Sequence, residues 1–325
     1  MRIAIPPLSP GLFAASPPDA AIGRASGDTM GTVWSAQVAG LDAAGISALV
    51  TPVLARAVAQ MSHWDPQSSL SRFNRLPCGQ WQALEPDFAA VIAAALDLAR
   101  LSDGAFDPAA GALVNLWGFG PPGPRDTLPG PDEIAAALAS SGHDALAWDP
   151  AARRLMRRRP VLLDLSGIAK GHAVDMVADA LIAAGHRHFL VEIGGELRGA
   201  GLRPDGQPWW VDVEAPDAGR TPLLRIAAVD MAVATSGDYV RRLTLAGRIY
   251  AHSLDPRSGA PITHGTASVT VIAPRCMTAD GWATALTVLP PDRAVALADE
   301  HGIAALGLSR DGREWQSRAL GEMLG

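Results

Sequence analysis

The stretch that most constrains this chain is residues 160–184, where a short apolar run, a small-residue turn and a helical pattern follow one another. Residues 161–165 (Val-Leu-Leu-Asp-Leu) have the length and character of a buried strand. From Lys170 onward, Ala173, Val174, Val177, Leu181 and Ile182 recur at helical spacing. The turn between them holds Gly167, Ala169 and Gly171. A strand feeding such a turn and then a helix gathers unpaired backbone N–H groups at one point, where an anionic ligand can sit. Asp164 at the strand end and Lys170 at the helix start frame that point with opposite charges. An ordinary strand–helix junction, with Asp164 near an N-cap and Lys170 solvated, accounts for the same residues without a ligand. The spacing is not that of a P-loop, which closes in Gly-Lys-Ser/Thr.

Composition bounds the class. A chain of 325 residues, 48% hydrophobic and 18% charged, can bury a substantial core and is globular rather than disordered. A net charge of −6 gives no broad attraction to nucleic acid or to anionic membranes, so neither is expected as a partner. The one basic cluster, residues 153–159, reads as a solvated hairpin. Cys78 and Cys276 form no metal motif and no disulfide framework. Residues 1–25 read as a loose, flexible arm, because prolines at 6, 7, 10, 17 and 18 interrupt every apolar run. They offer neither a continuous signal-peptide core nor a cysteine for lipid attachment. No stretch reads as a membrane-spanning helix. The chain as given is therefore expected in the cytoplasm, or in the periplasm if a leader is missing.

Helical spacing predicts helices over 44–61, 86–102, 132–140, 277–289 and 291–300. Alternating or short apolar runs predict strands over 32–38, 187–197, 209–213, 223–229, 231–235, 267–272 and 304–309, with a hairpin over 145–163. Helices and strands are interleaved, but the hairpins argue against pure βαβ winding. An α+β architecture with substantial antiparallel pairing is expected.

Several residues carry chemistry in more than one reading. Asp280 and Thr284 share one face of a predicted helix and are hard-oxygen groups suited to Mg²⁺. Equally, Asp280 can cap the helix while Thr284 bonds back to its own i−4 carbonyl. His252, in a polar loop, is either a proton acceptor or a solvated side chain. Trp64 is either an aromatic plug at a helix end or a lid over a planar ligand.

Eight motifs in order turn these options into one picture. They are Thr29-Met-Gly-Thr32, Met61-Ser-His-Trp-Asp-Pro66 with Leu70-Ser-Arg-Phe-Asn74, Gly104-Ala-Phe-Asp-Pro108 with Leu116-Trp-Gly-Phe-Gly120, and Leu163-Asp-Leu-Ser-Gly-Ile-Ala-Lys-Gly171. Then follow Ile193-Gly-Gly-Glu196, Ala234-Thr-Ser-Gly-Asp-Tyr239, His252-Ser-Leu-Asp-Pro-Arg-Ser-Gly259 and Asp280-Gly-Trp-Ala-Thr-Ala-Leu286. Over roughly residues 28–290 the chain resembles the ApbE family, flavin transferases that move FMN from FAD onto a threonine or serine hydroxyl of a target protein. The resemblance implies an ApbE-like (T-fold-like) α+β domain over 26–325, open to two subdomains around one FAD cleft. It implies FAD contacts at Met30, Trp64, Ala105, Phe106, Asp107, Asp164, Lys170 and Leu254. It also implies Mg²⁺ held by Asp280 and Thr284, by the backbone of Gly167, and by the carbonyl of Ala283. His252 matches a family histidine that is a candidate base, Asp280 is a second candidate catalytic residue, and the base is either His252 or one of the aspartates. Trp64 stands where Tyr is common and His172 where Tyr is usual. The expected activity is Mg²⁺-dependent FMN transfer to an acceptor flavoprotein subunit with AMP release. An FAD pyrophosphatase and a non-catalytic flavin-binding protein are the rivals.

Overall fold

The computed structural model describes residues 2–7, 19–213, 222–237, 242–245 and 248–324. Asp238 and Tyr239 of one motif, and residues 8–18 of the expected arm, lie outside the described residues. The architecture is α+β and is built on an eight-stranded sheet. From edge to edge it runs Glu314–Gln316, Ala304–Ser309, Thr266–Ala273, Met231–Gly237, Glu196–Ala200, Phe189–Ile193, Thr32–Ala39 and Ile22–Thr29. Every neighbouring pair is antiparallel.

The side-chain period of two decides what each face of this sheet meets. Leu197, Val233, Ile272 and Ala304 lie opposite one another across four strands and enter one core. Ala234, Val271 and Ala305, one residue along, enter the other. Both faces are therefore covered, which explains why all eight residues of Thr266–Ala273 are buried.

The larger core is helical. It contains α1 (Ala43–Met61), α2 (Ser69–Arg75), α3 (Pro86–Leu101), α6 (Ala169–Ala183) and α7 (Cys276–Val288). Between α3 and α6 come α4 (Gly111–Leu116) and α5 (Pro131–Ala139), which share a smaller cluster around Leu113, Trp117 and Leu254. Helices α8 (Pro291–Glu300) and α9 (Arg318–Leu324) follow α7. On the opposite face a three-stranded sheet, Arg2–Ala4, Leu224–Ala227 and Trp210–Val213, closes the second core around Trp209 and Ile226.

Four expectations need correction. The arm is not loose throughout: Arg2–Ala4 pairs in parallel with Leu224–Ala227, and Ala4 is fully buried. Residues 22–25 begin the edge strand Ile22–Thr29. Prolines prevent a helix there but do not prevent a short strand before them. Secondly, α1 is long and apolar enough by length and composition to cross a membrane. In this fold its Ile46, Val50, Leu54 and Ala57 are buried in the main core. Thirdly, Arg157 is buried, not solvated: its guanidinium donates to the carbonyls of Val161 (2.7 Å) and Leu76 and lies over the Phe73 ring.

Fourthly, residues 161–165 form no ladder strand; a single bridge joins Leu162 to Ala110. The segment is extended, with Val161, Leu163 and Leu165 buried. Its backbone groups are satisfied elsewhere: Asn74 accepts the Leu163 N–H (2.8 Å) and donates to the Leu163 carbonyl (3.0 Å). Asp164 N–H donates to the Pro108 carbonyl at 2.9 Å. Removing the Asn74 amide strands one donor and one acceptor, so Asn74→Ala is expected to lower unfolding stability by about 2 kcal/mol. A urea midpoint that stays within error of the wild type would show that solvent replaces the amide at no cost.

Candidate functional site

Helix α7 is buried along most of its surface, yet it carries Asp280, 5% exposed. A carboxylate in such a place is costly unless it is partnered. Asp280 Oδ2 accepts the N–H of Gly171 at 2.8 Å. One turn on, the Thr284 hydroxyl donates to the Gly167 carbonyl at 3.2 Å. Thr284 thus reaches across to the turn before α6, rather than back to its own helix. The turn offers a carbonyl at Gly167. Three of its N–H groups are engaged: Ile168 and Ala169 donate to Leu165 O, and Gly171 to Asp280. The junction is therefore not the anion cradle that the bare strand–turn–helix pattern suggests.

Two glycines allow this approach. A Cβ on Gly171 would lie 2.3 Å from the carbonyl oxygen of Cys276, and one on Gly167 would lie 2.8 Å from Thr284 Oγ1. The result is a group of oxygens: the Asp280 carboxylate, the Thr284 hydroxyl and the Gly167 carbonyl. The Ala283 carbonyl accepts the Thr287 hydroxyl at 2.8 Å within α7. Among the described residues, no three His, Cys, Asp or Glu side chains gather as a metal cage. A single carboxylate with neutral oxygens fits Mg²⁺, which usually keeps positions for water and substrate phosphates.

Lys170 forms a close ion pair with Glu196, which is 3% exposed on the strand after the Gly194–Gly195 turn. Burial pushes Glu196 up to about 7, the nearby Asp280 charge adds to this, and Lys170 opposes it. Burial also raises Asp280, against Lys170 and the Gly171 N–H. For Lys170, burial works downward, but Glu196 and Asp280 outweigh it and hold the ammonium above its ordinary range. Two buried carboxylates thus compete for one cation. A carboxyl with a raised folded pKa binds more protons folded than unfolded, so stability falls as pH rises through that window. For Glu196 the window runs from 4.5 to about 7. In the metal-free protein, Glu196→Gln is expected to remove a fall of roughly 1–3 kcal/mol across it. Parallel stability–pH curves for the two proteins would count against this competition.

A second cluster adjoins the first through Asp164. Asp164 accepts the Ser166 N–H at 2.8 Å and its hydroxyl, and faces His63 Nδ1 at 3.4 Å. Burial works to raise its pKa, but His63 and Ser166 outweigh it and keep it low. Asp164 therefore does cap the turn locally, and any nucleotide contact is additional. Trp64 is 57% exposed with its ring 5.2 Å from that of His63, so it is no buried plug. A cavity of about 200 Å³ is lined by His63, Asn74, Arg75, Asn115, Leu162 and Asp164. That is below the ~300–1,000 Å³ of drug-sized sites.

The other expected residues are more scattered. Met30 occupies the hairpin turn after Ile22–Thr29 at φ +50°, with Gly31 at +71°, a conformation strained for a non-glycine residue. Asp107 accepts the backbone N–H of Ala109 (2.7 Å) and of His143 (2.9 Å) and meets His143 Nδ1 at 3.1 Å. The Asp107 hydrogen bond raises His143 above its usual range. Ala105 and Phe106 are buried in the main core, Phe106 at 4% exposure. Their backbone N–H groups donate to Ser102, Ala105 to its carbonyl at 3.1 Å and Phe106 to its hydroxyl at 3.1 Å. Leu254 belongs to the Leu113–Trp117 cluster, and His252 stands edge-on to Phe119 at 6.2 Å.

Sequence reasoning assigned no role to Glu196, His63 or His143. The signal for Glu196 was present: an acid after two glycines at the start of an apolar strand. His63 and His143 become visible only through their contacts with Asp164 and Asp107.

A family model described as the ApbE family matches residues 30–307. A Vibrio cholerae serotype O1 protein named FAD:protein FMN transferase is 39% identical over 287 residues, covering 86% of this chain and 85% of its own length. A Haemophilus influenzae protein of the same name is 38% identical over 292 residues, covering 86% and 84%. The apo form of the Pseudomonas stutzeri flavinyl transferase ApbE has a TM-score of 0.86 at 38% identity, covering 94% of this chain and 98% of that one.

Proposed function

This chain belongs to the ApbE family, and we propose that it is an FAD:protein FMN transferase. With Mg²⁺ it moves FMN from FAD onto a threonine or serine hydroxyl of an acceptor protein and releases AMP. The observation that carries this reading is the meeting of Asp280, Thr284 and the Gly167 carbonyl beside Lys170, in a chain whose relatives are named for the transfer.

Asp280, Thr284 and the carbonyls of Gly167 and Ala283 would hold the cation. Mg²⁺ bound there supplies positive charge to the pyrophosphate and to the AMP leaving group. Lys170, kept charged by two carboxylates, adds a fixed cation to the same wall. The acceptor hydroxyl oxygen attacks the phosphorus on the FMN side, and the bond from that phosphorus to the AMP oxygen breaks. His252 is the proposed base for the hydroxyl proton. The exposed Trp64 ring, with Met30, offers an apolar surface to a flavin or adenine ring.

Incubating the protein with FAD, Mg²⁺ and a cognate acceptor is expected to increase the acceptor mass by one FMN. Rapid release of free FMN and AMP without acceptor would move the reading to a pyrophosphatase. Bound FAD with no turnover under either condition would replace it with a flavin-binding protein.

A further inference from the structure

Neither α6 nor α7 caps its own N-terminus: the N-cap residues Ile168 and Arg275 make no side-chain cap hydrogen bond. Each helix is capped by the other. Asp280 of α7 takes the first-turn N–H of Gly171 in α6 at 2.8 Å. In return Asp175 of α6 takes the first-turn N–H groups of α7, with Oδ1 accepting from Cys276 (3.0 Å) and Oδ2 from Met277 (2.9 Å). Asp175 is fully buried, and its charge is met by Arg198 Nη1 at 3.0 Å and Arg275 Nε at 3.3 Å.

From this reciprocal clasp we infer that Asp175 is a positioning residue for the cation site: it sets where α7 lies along α6, and so where Asp280 and Thr284 stand relative to Gly167. The inference rests on the reading that these three residues hold Mg²⁺. The physical reason is that neither end of the clasp works alone. The Gly171 bond fixes the orientation of the Asp280 carboxylate but not the position of α7 along its axis. Two charge-assisted bonds to the start of α7 supply that second constraint. Asp175 lies one helical turn beyond Gly171, and Cys276 one turn before Asp280, so the two ties form the opposite ends of one short contact. A supporting residue that orients a ligand typically changes metal affinity about 10–100-fold when replaced.

The test uses the full chain and Mg²⁺ alone, followed by isothermal titration, with FAD binding in EDTA measured in parallel. Asp175→Asn keeps one acceptor and loses the charge, so its Mg²⁺ dissociation constant is expected to rise at least about tenfold, with metal-free FAD binding preserved. Asp179→Asn is the control. Asp179 pairs with the same Arg198 and Arg275, and among the described residues it accepts from these guanidinium groups rather than from an α7 N–H. That variant is expected to lose stability while keeping wild-type Mg²⁺ affinity. Equal affinity in wild type and Asp175→Asn would overturn the inference while leaving the cation reading intact. A wild type that binds no Mg²⁺ would overturn both. If Asp175→Asn does not fold, hydrogen exchange on the wild type decides: Mg²⁺ should increase protection of the Gly171, Cys276 and Met277 amides together. Unchanged protection at Cys276 and Met277 would show that the clasp is independent of the metal.

Discussion

Asp280→Ala is expected to lower the rate of FMN transfer by about a thousandfold while FAD still binds. The magnitude follows from what the residue does: it is the one carboxylate in the oxygen group at the α6–α7 junction. Metal stabilisation of charge developing in a transition state is worth several kcal/mol, and about 4 kcal/mol corresponds to a thousandfold. The fold should tolerate the change. Asp280 is buried with a raised pKa, so its removal relieves a desolvated charge beside Glu196. The cost is an unpaired Gly171 N–H, about 1–3 kcal/mol. Asp280→Asn, which keeps an acceptor for that N–H, should be more stable and equally inactive. Single-turnover mass analysis of the acceptor, alongside flavin fluorescence for FAD binding, reads both quantities. Transfer within tenfold of wild type in Asp280→Ala would remove Asp280 from the cation site.

The second large effect is structural. Gly171→Ala is expected to destabilise the protein by about 2–3 kcal/mol even though alanine is the better helix former. Propensity favours the change by about 1 kcal/mol. Against it, the new Cβ would meet the Cys276 carbonyl oxygen at 2.3 Å and Asp280 Cβ at 2.7 Å. The nearer atom is backbone and cannot rotate away, so α6 and α7 must separate. That movement strains the Asp280–Gly171 bond, and Mg²⁺ affinity should fall with stability. Urea unfolding with an unchanged slope measures the first and metal titration the second. A midpoint above the wild type would mean that propensity wins and the two helices are not in close contact.

Much of the fold was legible because its helices announce themselves locally. The apolar spacing over 44–61 and 86–102 corresponds to α1 and α3 within a residue at each end. The segment 161–165 misled because an apolar run states burial but not where its hydrogen bonds go. Asn74, whose amide serves Leu163, is far from it in sequence. Arg157 misled for the same reason: charge composition suggests solvent, while the nearby Val161 carbonyl and two distant partners, the Leu76 carbonyl and the Phe73 ring, make it a buried strut. At the site, Asp280, Thr284 and Gly167 could be named from motif order and are in fact adjacent. The exposure of Trp64 and the burial of Phe106 could not be read from sequence, since each is an aromatic followed by Asp-Pro in a loop after a helix. Asp175 stood unnoticed on a helix read only for its apolar face.

The small sheet on the second face also bears on how the chain assembles as it is made. Arg2 reaches the carbonyl of Leu223, 221 positions later, and Ile5 N–H donates to Met323 O at 2.9 Å. During synthesis from the N-terminus, the first strand must wait for most of the chain before it has a partner. The sheet edge Ile22–Thr29 with Thr32–Ala39 can form at once as a hairpin, but the sheet that covers Leu197, Val233 and Ile272 is complete only once Leu224–Ala227 has joined Arg2–Ala4 and Trp210–Val213. Such dependence on distant contacts slows folding. Until residue 224 is made the strand carrying Ala4 has no partner, so aggregation of nascent chains should be most sensitive to changes at Ala4, Leu224 and Ile226.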